Sequence, residues 1–188
     1  QLKSQSVVDS HPLVFHIIRR TNSTDNELQP LTAVERVELQ DLWFNRVLSH
    51  APLPTTLQAV LNRMADIQSS ESLDRLSFLI GEGSQIPVTS SFPLDRNRGF
   101  RFILAWRKQG RAEIFLGTPA GARKGFLEVM AWDSKKKAFN YYERQSTNSG
   151  EDIWLFAGDS RDALIPKTRG TGCFRCHTNG GPVMRELR

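Results

Sequence analysis

The chain has 188 residues, of which 39% are hydrophobic and 24% charged, with a formal charge of +5; that is enough for one sizeable core and ordinary for a folded domain. No apolar run approaches the roughly 20 residues of a membrane helix, and no basic stretch leads into an apolar one near Gln1, so neither a membrane span nor a secretory leader is read here. The charge is spread over Arg19-Arg20, Arg96, Arg98 and Arg101, Arg107, Lys108 and Arg111, the run Lys135-Lys136-Lys137, and Arg185 and Arg188. It comes without any nucleic-acid-binding motif, so it fits a solvated surface or a face for an acidic partner protein.

Residues 1–30 read as an N-terminal arm. One apolar stretch, HPLVFHII, suits a strand, and NSTDNELQP is a loop by composition. Thr32 then stands three residues before Glu35, the spacing of a capping box. Val34, Leu39, Leu42, Trp43 and Val47 follow at helical intervals and predict a helix that Pro52 and Pro54 end. A second helix is expected from about Thr55 to Gln68, with Leu57, Val60, Leu61, Met64 and Ile67 on one face. A third is expected from Ser70 to Ile80, closed by Gly81 and Gly83, so the helical part covers about 31–80.

From Gly99 the texture changes. GFRFILAWRK, RAEIFLG, GFLEVMAWD, AFNYYERQ and DIWLFAG are short segments rich in aromatic or β-branched residues. Gln109-Gly110 and Asp133-Ser134 read as tight turns between them, which predicts an antiparallel meander over about 99–157. Its aromatic faces suit a sheet core first and the wall of a cofactor pocket second. Beyond it GDSRDALIPKTRGTG is loop-like, and Gly180-Gly181-Pro182 stops any helix before PVMRELR, where Pro182 can open another. The fold class expected is α+β: N-terminal helices, then an antiparallel β-meander, then a C-terminal attachment segment. Residues 31–188 form a single domain in this reading.

Both cysteines lie in GTGCFRCHTNGGP, as Cys173-Phe174-Arg175-Cys176-His177. With two cysteines and four histidines in the whole chain, chance is a poor explanation of a Cys-x-x-Cys-His string. Three chemistries compete for it. Zinc wants four ligands, and no second Cys-x-x-Cys exists, although His11 and His16 could complete a set. A disulfide-exchange pair normally follows a strand early in a βαβ unit, not a meander. A lone disulfide across two residues closes almost no loop and stabilises little. Covalent haem attachment accounts for the whole string: cysteines three apart on a helical turn share a face and reach two vinyl groups of a porphyrin, and the next residue presents an imidazole to the iron.

In CFRCH the chain resembles the c-type cytochromes. The resemblance implies one haem c, joined through thioethers at Cys173 and Cys176, with His177 as the proximal iron ligand. It also implies assembly outside the cytoplasm, in a bacterial periplasm or on a cell surface, from a chain already shorn of its leader. A single motif implies a single haem. The layout, a sheet running into a C-terminal motif, is similar to that of the sheet-type cytochromes c-prime and of lysine-cross-linked cytochromes that oxidise hydroxylamine.

Iron's other face decides between electron transfer and chemistry. His11, His16, His50 and Met130 are the candidates for a sixth ligand. Met64 is expected in the core, and Met184 is too close to His177 to reach the far side. Lys108, Lys124 or the 135–137 run would be the source of any porphyrin cross-link. The function expected is electron transfer in an extracytoplasmic redox chain, with a redox partner protein. The alternatives are a carrier or sensor of nitric oxide or carbon monoxide, an oxidase of a small nitrogen compound, and a haem-bearing subunit of a larger electron-conducting assembly or homo-oligomer.

Overall fold

The computed structural model describes residues 14–19, 26–81, 100–120, 127–147, 149–166, 168, 173 and 177. The described strands form one eight-stranded sheet. In chain order they are β1 (Val14–Arg19), β2 (Asn26–Pro30), β3 (Asp74–Gly81), β4 (Phe100–Lys108), β5 (Arg111–Ala120), β6 (Glu128–Asp133), β7 (Ala138–Ser146) and β8 (Asp152–Asp159). Their order across the sheet is β2-β1-β8-β7-β6-β5-β4-β3. Strands β3 to β8 make the antiparallel meander, each joined to the next in sequence, and β1 then lies parallel to β8 with β2 antiparallel beside it. With helices packed on it, the sheet gives an α+β fold.

The turns follow from local chemistry. Gln109 and Gly110, both at positive φ, close the β4–β5 hairpin, as a two-residue turn of the primed kind requires. After β6 the Asp133 carboxylate accepts from the backbone N–H of Lys135 and Lys136, at 3.0 and 2.9 Å, an Asx-type turn.

One face of the sheet carries the helices α1 (Ala33–Glu38) and α2 (Leu57–Ser70), with a π-helical turn at Phe44–Leu48 between them. The capping box forms: Thr32 Oγ1 accepts from the Glu35 N–H, and Glu35 accepts from the Thr32 N–H at 2.8 Å. In α2, Val60, Met64 and Ile67 are the buried stripe, spaced as one helical face requires. They meet Leu104, Trp106, Ile114, Leu116, Val129, Tyr142 and Trp154 from the sheet in a single core. Trp154 contacts Trp43 edge-on at 5.3 Å and donates its indole N–H to the Pro54 carbonyl at 2.9 Å.

Four expectations change. Residues 74–81 form strand β3, not the end of a third helix, so the helical part stops at Ser70. Leu73, Leu76 and Ile80 satisfy a helical period and Leu76, Phe78 and Ile80 an extended one, and pairing with β4 from Asp74↔Arg107 to Gly81↔Phe100 decides it. The loop expected at NELQP is strand β2, a polar edge strand ending at a proline, as edges tolerate. The arm 1–30 therefore contributes two strands to the sheet, which reaches well outside 99–157. The single helix expected after Thr32 breaks at Leu39, where a long-range partner takes over its backbone: Asp133 accepts the Gln40 N–H at 2.8 Å, and Asp41 then accepts the N–H of Phe44, three residues on, at 2.8 Å.

Asp41 is the centre of a buried polar knot joining the helices to the sheet. Its carboxylate accepts from Asn140 Nδ2 at 2.7 Å and from the Tyr142 hydroxyl at 2.6 Å, and Asn140 also donates to Asp133 at 3.3 Å. Burial raises the Asp41 pKa from 3.8 to about 6, nearby Asp133 adding to the rise, while the hydrogen bonds from Tyr142, Phe44 and Asn140 oppose it. A carboxyl whose folded pKa lies above its unfolded one favours the fold most below the unfolded value and loses that contribution as pH climbs through the folded value. Between pH 3.8 and about 6 the Asp41 contribution should fall by about 3 kcal/mol. Asp41→Asn should remove that dependence, so the stability difference between wild type and variant, from urea unfolding at pH 4 to 7, should drift by that amount. A difference constant with pH would contradict the assignment.

Candidate functional site

Alternation along the strands gives the sheet a second working face. On β6 and β7, Val129, Ala131 and Tyr142 go to the helix-side core. Their neighbours Met130 and Tyr141 belong to a separate cluster with Ala163, against which Phe115, Phe139, Ala157 and Cys173 pack. Phe115, Met130 and Tyr141 are linked by strand register across three adjacent strands (Phe115↔Met130↔Tyr141), so they share a face. Phe139 extends this platform, 5.1 Å from the Trp132 ring and 6.2 Å from Phe115. Along the same face Arg101, 8% exposed, ion-pairs with Glu128 at 2.9 Å, crossing β5 at Gly117, where a Cβ would be in ordinary contact with Arg101 and Ile103.

A bulge aims the chain's C-terminal part at this platform. Tyr141 faces Gly158 while Tyr142 faces Phe156, leaving Ala157 as the extra residue. Gly158 sits at φ +104°, and a Cβ there would lie 2.5 Å from Asp162 Oδ2. That oxygen accepts the Asp159 N–H at 2.8 Å. The resulting turn enters a 3₁₀ helix, Asp162–Leu164, whose Ala163 is buried against the cluster. Ser160 fastens it further, donating its N–H to the Phe139 carbonyl at 2.8 Å and accepting the Phe139 N–H at 3.2 Å.

Cys173 and His177 then lie against the same face. The His177 N–H donates to the Cys173 carbonyl at 3.0 Å, one helical turn. Cys173 packs on the cluster, and the His177 imidazole lies 5.5 Å from the Tyr141 ring, tilted by 51°. Both are half-buried. Burial pushes the Tyr141 phenol well above its ordinary range, and the neighbouring Cys173 charge adds to this.

Thus Cys173, His177 and Met130 come together around Tyr141. Met64 is buried in the helix-side core. His50, exposed, follows the π-helical turn whose Phe44 and Val47 pack on the opposite face of the sheet. His16 stands in β1 in register with Phe156 and Gln29, its side chain outside the described residues. Cys176, His11, Met184 and Lys124 also lie outside them. Lys108 pairs with Glu71 at 3.1 Å and Lys136 with Asp159 at 3.8 Å.

Among the described residues, no three His, Cys, Asp or Glu side chains are grouped to hold a metal ion, and no helix is long and apolar enough to cross a membrane. What the arrangement offers is one thiol and one imidazole on a single turn, set on a broad aromatic and thioether surface. These residues fit a flat apolar macrocycle carrying an iron: its edge needs a sulfur, its metal an imidazole, and its faces an apolar wall. Comparison with protein-family models, with curated proteins and with solved structures finds no match for this chain.

Gly158 is the residue on which this geometry turns. Gly158→Ala should cost about 1–3 kcal/mol, since a side chain at that φ is strained and also meets Asp162. Urea unfolding at pH 7 measures it; wild-type stability in the variant would mean the turn is not held as described.

Proposed function

We propose that the chain is a monohaem c-type cytochrome that transfers electrons in an extracytoplasmic redox chain. The observation that carries the reading is the turn from Cys173 to His177 resting on the Phe115, Met130, Phe139 and Tyr141 platform, together with Cys176 in the Cys-x-x-Cys-His spacing. Cys173 and Cys176 would hold haem c through thioethers, and His177 would be the proximal ligand. When bound, the haem supplies an iron that cycles between the ferric and ferrous states.

The chain's own residues have three tasks. The two sulfurs fix the macrocycle without a deep pocket, which suits a site on a sheet face. The apolar platform excludes water from one side, and low polarity around the iron is a main determinant of its potential. Exposed Arg75, Arg111, Lys135 and Lys137 give a positive surface for meeting an acidic redox partner, an attraction that weakens with salt. Among the described candidates for the sixth ligand, Met130 lies in the cluster that Cys173 joins, on the same side as the Tyr141 ring that His177 meets, so it would wall the proximal side and not reach iron's other face.

Produced with a leader that exports it to a haem-attaching periplasm, the chain should be red and, after denaturation, heavier than its amino acids by one haem. Cys173→Ala with Cys176→Ala should abolish the added mass. His177→Ala should keep the mass and change the ferric and ferrous spectra. A colourless chain of unmodified mass would overturn the reading, and an unchanged His177→Ala spectrum would overturn the ligand assignment.

A further inference from the structure

An imidazole bound to iron is free to rotate about the bond unless its flanks are held, and metal-bound histidines are oriented by the groups around them. Two of the described contacts of His177 bear on that orientation. The hydrogen bond to the Cys173 carbonyl restrains its backbone. The ring itself meets Tyr141, at 5.5 Å and 51°, a separation and tilt typical of ring pairs.

Tyr141 is a rigid surface for this purpose. It lies on β7 between β6 and β8, only 2% exposed. Met130 is directly across on β6, Gly158 across on β8, and Ala163 closes over the cluster. No side chain at 158 competes with the tyrosine for that face, and its ring meets the His177 ring at a tilt of 51°.

We propose that Tyr141 is the positioning residue for His177: its ring face sets the plane of the imidazole, and so the orientation of the proximal ligand above the porphyrin. The inference rests on the haem reading. The role is assigned to the ring, so phenylalanine should replace it and an apolar side chain of similar bulk should not.

The test uses the full chain as wild type, Tyr141→Phe and Tyr141→Met, the last filling the space with a flexible side chain. Mass confirms one haem in each. In the ferric state the spread of the haem-methyl proton shifts depends on the imidazole plane. Tyr141→Phe should keep the wild-type pattern, and Tyr141→Met should lose it, collapsing or splitting the methyl resonances. A second readout needs no iron: in chain made without haem attachment, the His177 ring protons should be displaced upfield by the neighbouring ring in wild type and Tyr141→Phe, and not in Tyr141→Met. A folded Tyr141→Met with the wild-type methyl pattern overturns the role, as does a Tyr141→Phe disturbed as much as Tyr141→Met. A wild type without haem overturns the haem reading instead and takes the ligand-orienting role with it.

Discussion

Tyr141 and Tyr142 are consecutive residues on β7, and extended backbone sends consecutive side chains to opposite faces. Tyr142 enters the helix-side core and donates its hydroxyl to Asp41 at 2.6 Å. Tyr141 goes to the other face and meets His177. Everything else depends on that register. A slip of one residue along β6 would exchange the faces of β7, take the hydroxyl from a buried carboxylate, and turn Tyr141 away from Met130 and His177. The two clusters are therefore coupled through the strand although they share no side chain.

The coupling makes the helix-side polar knot important to a site it never touches. Asp41 is fully buried with two side-chain donors and one backbone donor, and Asp133 takes three backbone N–H groups and shares Asn140 with it. Buried donors and acceptors cost more when unpaired than they stabilise when paired, so the knot discriminates against other registers more than it adds raw stability. Leu39 then packs where the chain leaves the first helix, and Trp43 and Val47 pack from the helical turns that resume after Asp41.

What the sequence made legible was local. The Thr32–Glu35 capping box, the stripe Val60, Met64 and Ile67, and the Gln109-Gly110 turn are all decided within a few residues, and each forms. The Cys173–His177 string was legible for the same reason, and as chemistry only. The misread segments are those decided at a distance. NELQP is polar and becomes a strand because β1 lies beside it. Residues 74–81 fit two periods, and β4 chooses. The helix breaks at Leu39 because Asp41 finds Asn140 and Tyr142, 99 and 101 residues further on. Tyr141 belongs with these. Its aromatic strand was visible, but nothing local said that the motif 36 residues later would return to it rather than to Tyr142.

That return also bears on which of the three chemistries the motif serves. A zinc site needs ligands converging on a point. A disulfide-exchange pair needs a thiolate, which a positive neighbour or a helix N-terminus stabilises. Cys173 is half-buried against Met130, Tyr141, Ala163, Phe115 and Phe139, a wall of aromatic, aliphatic and thioether side chains. A flat apolar ring along that wall would use its area. The apolar wall beside the first cysteine is thus what supports the proposal of covalent haem.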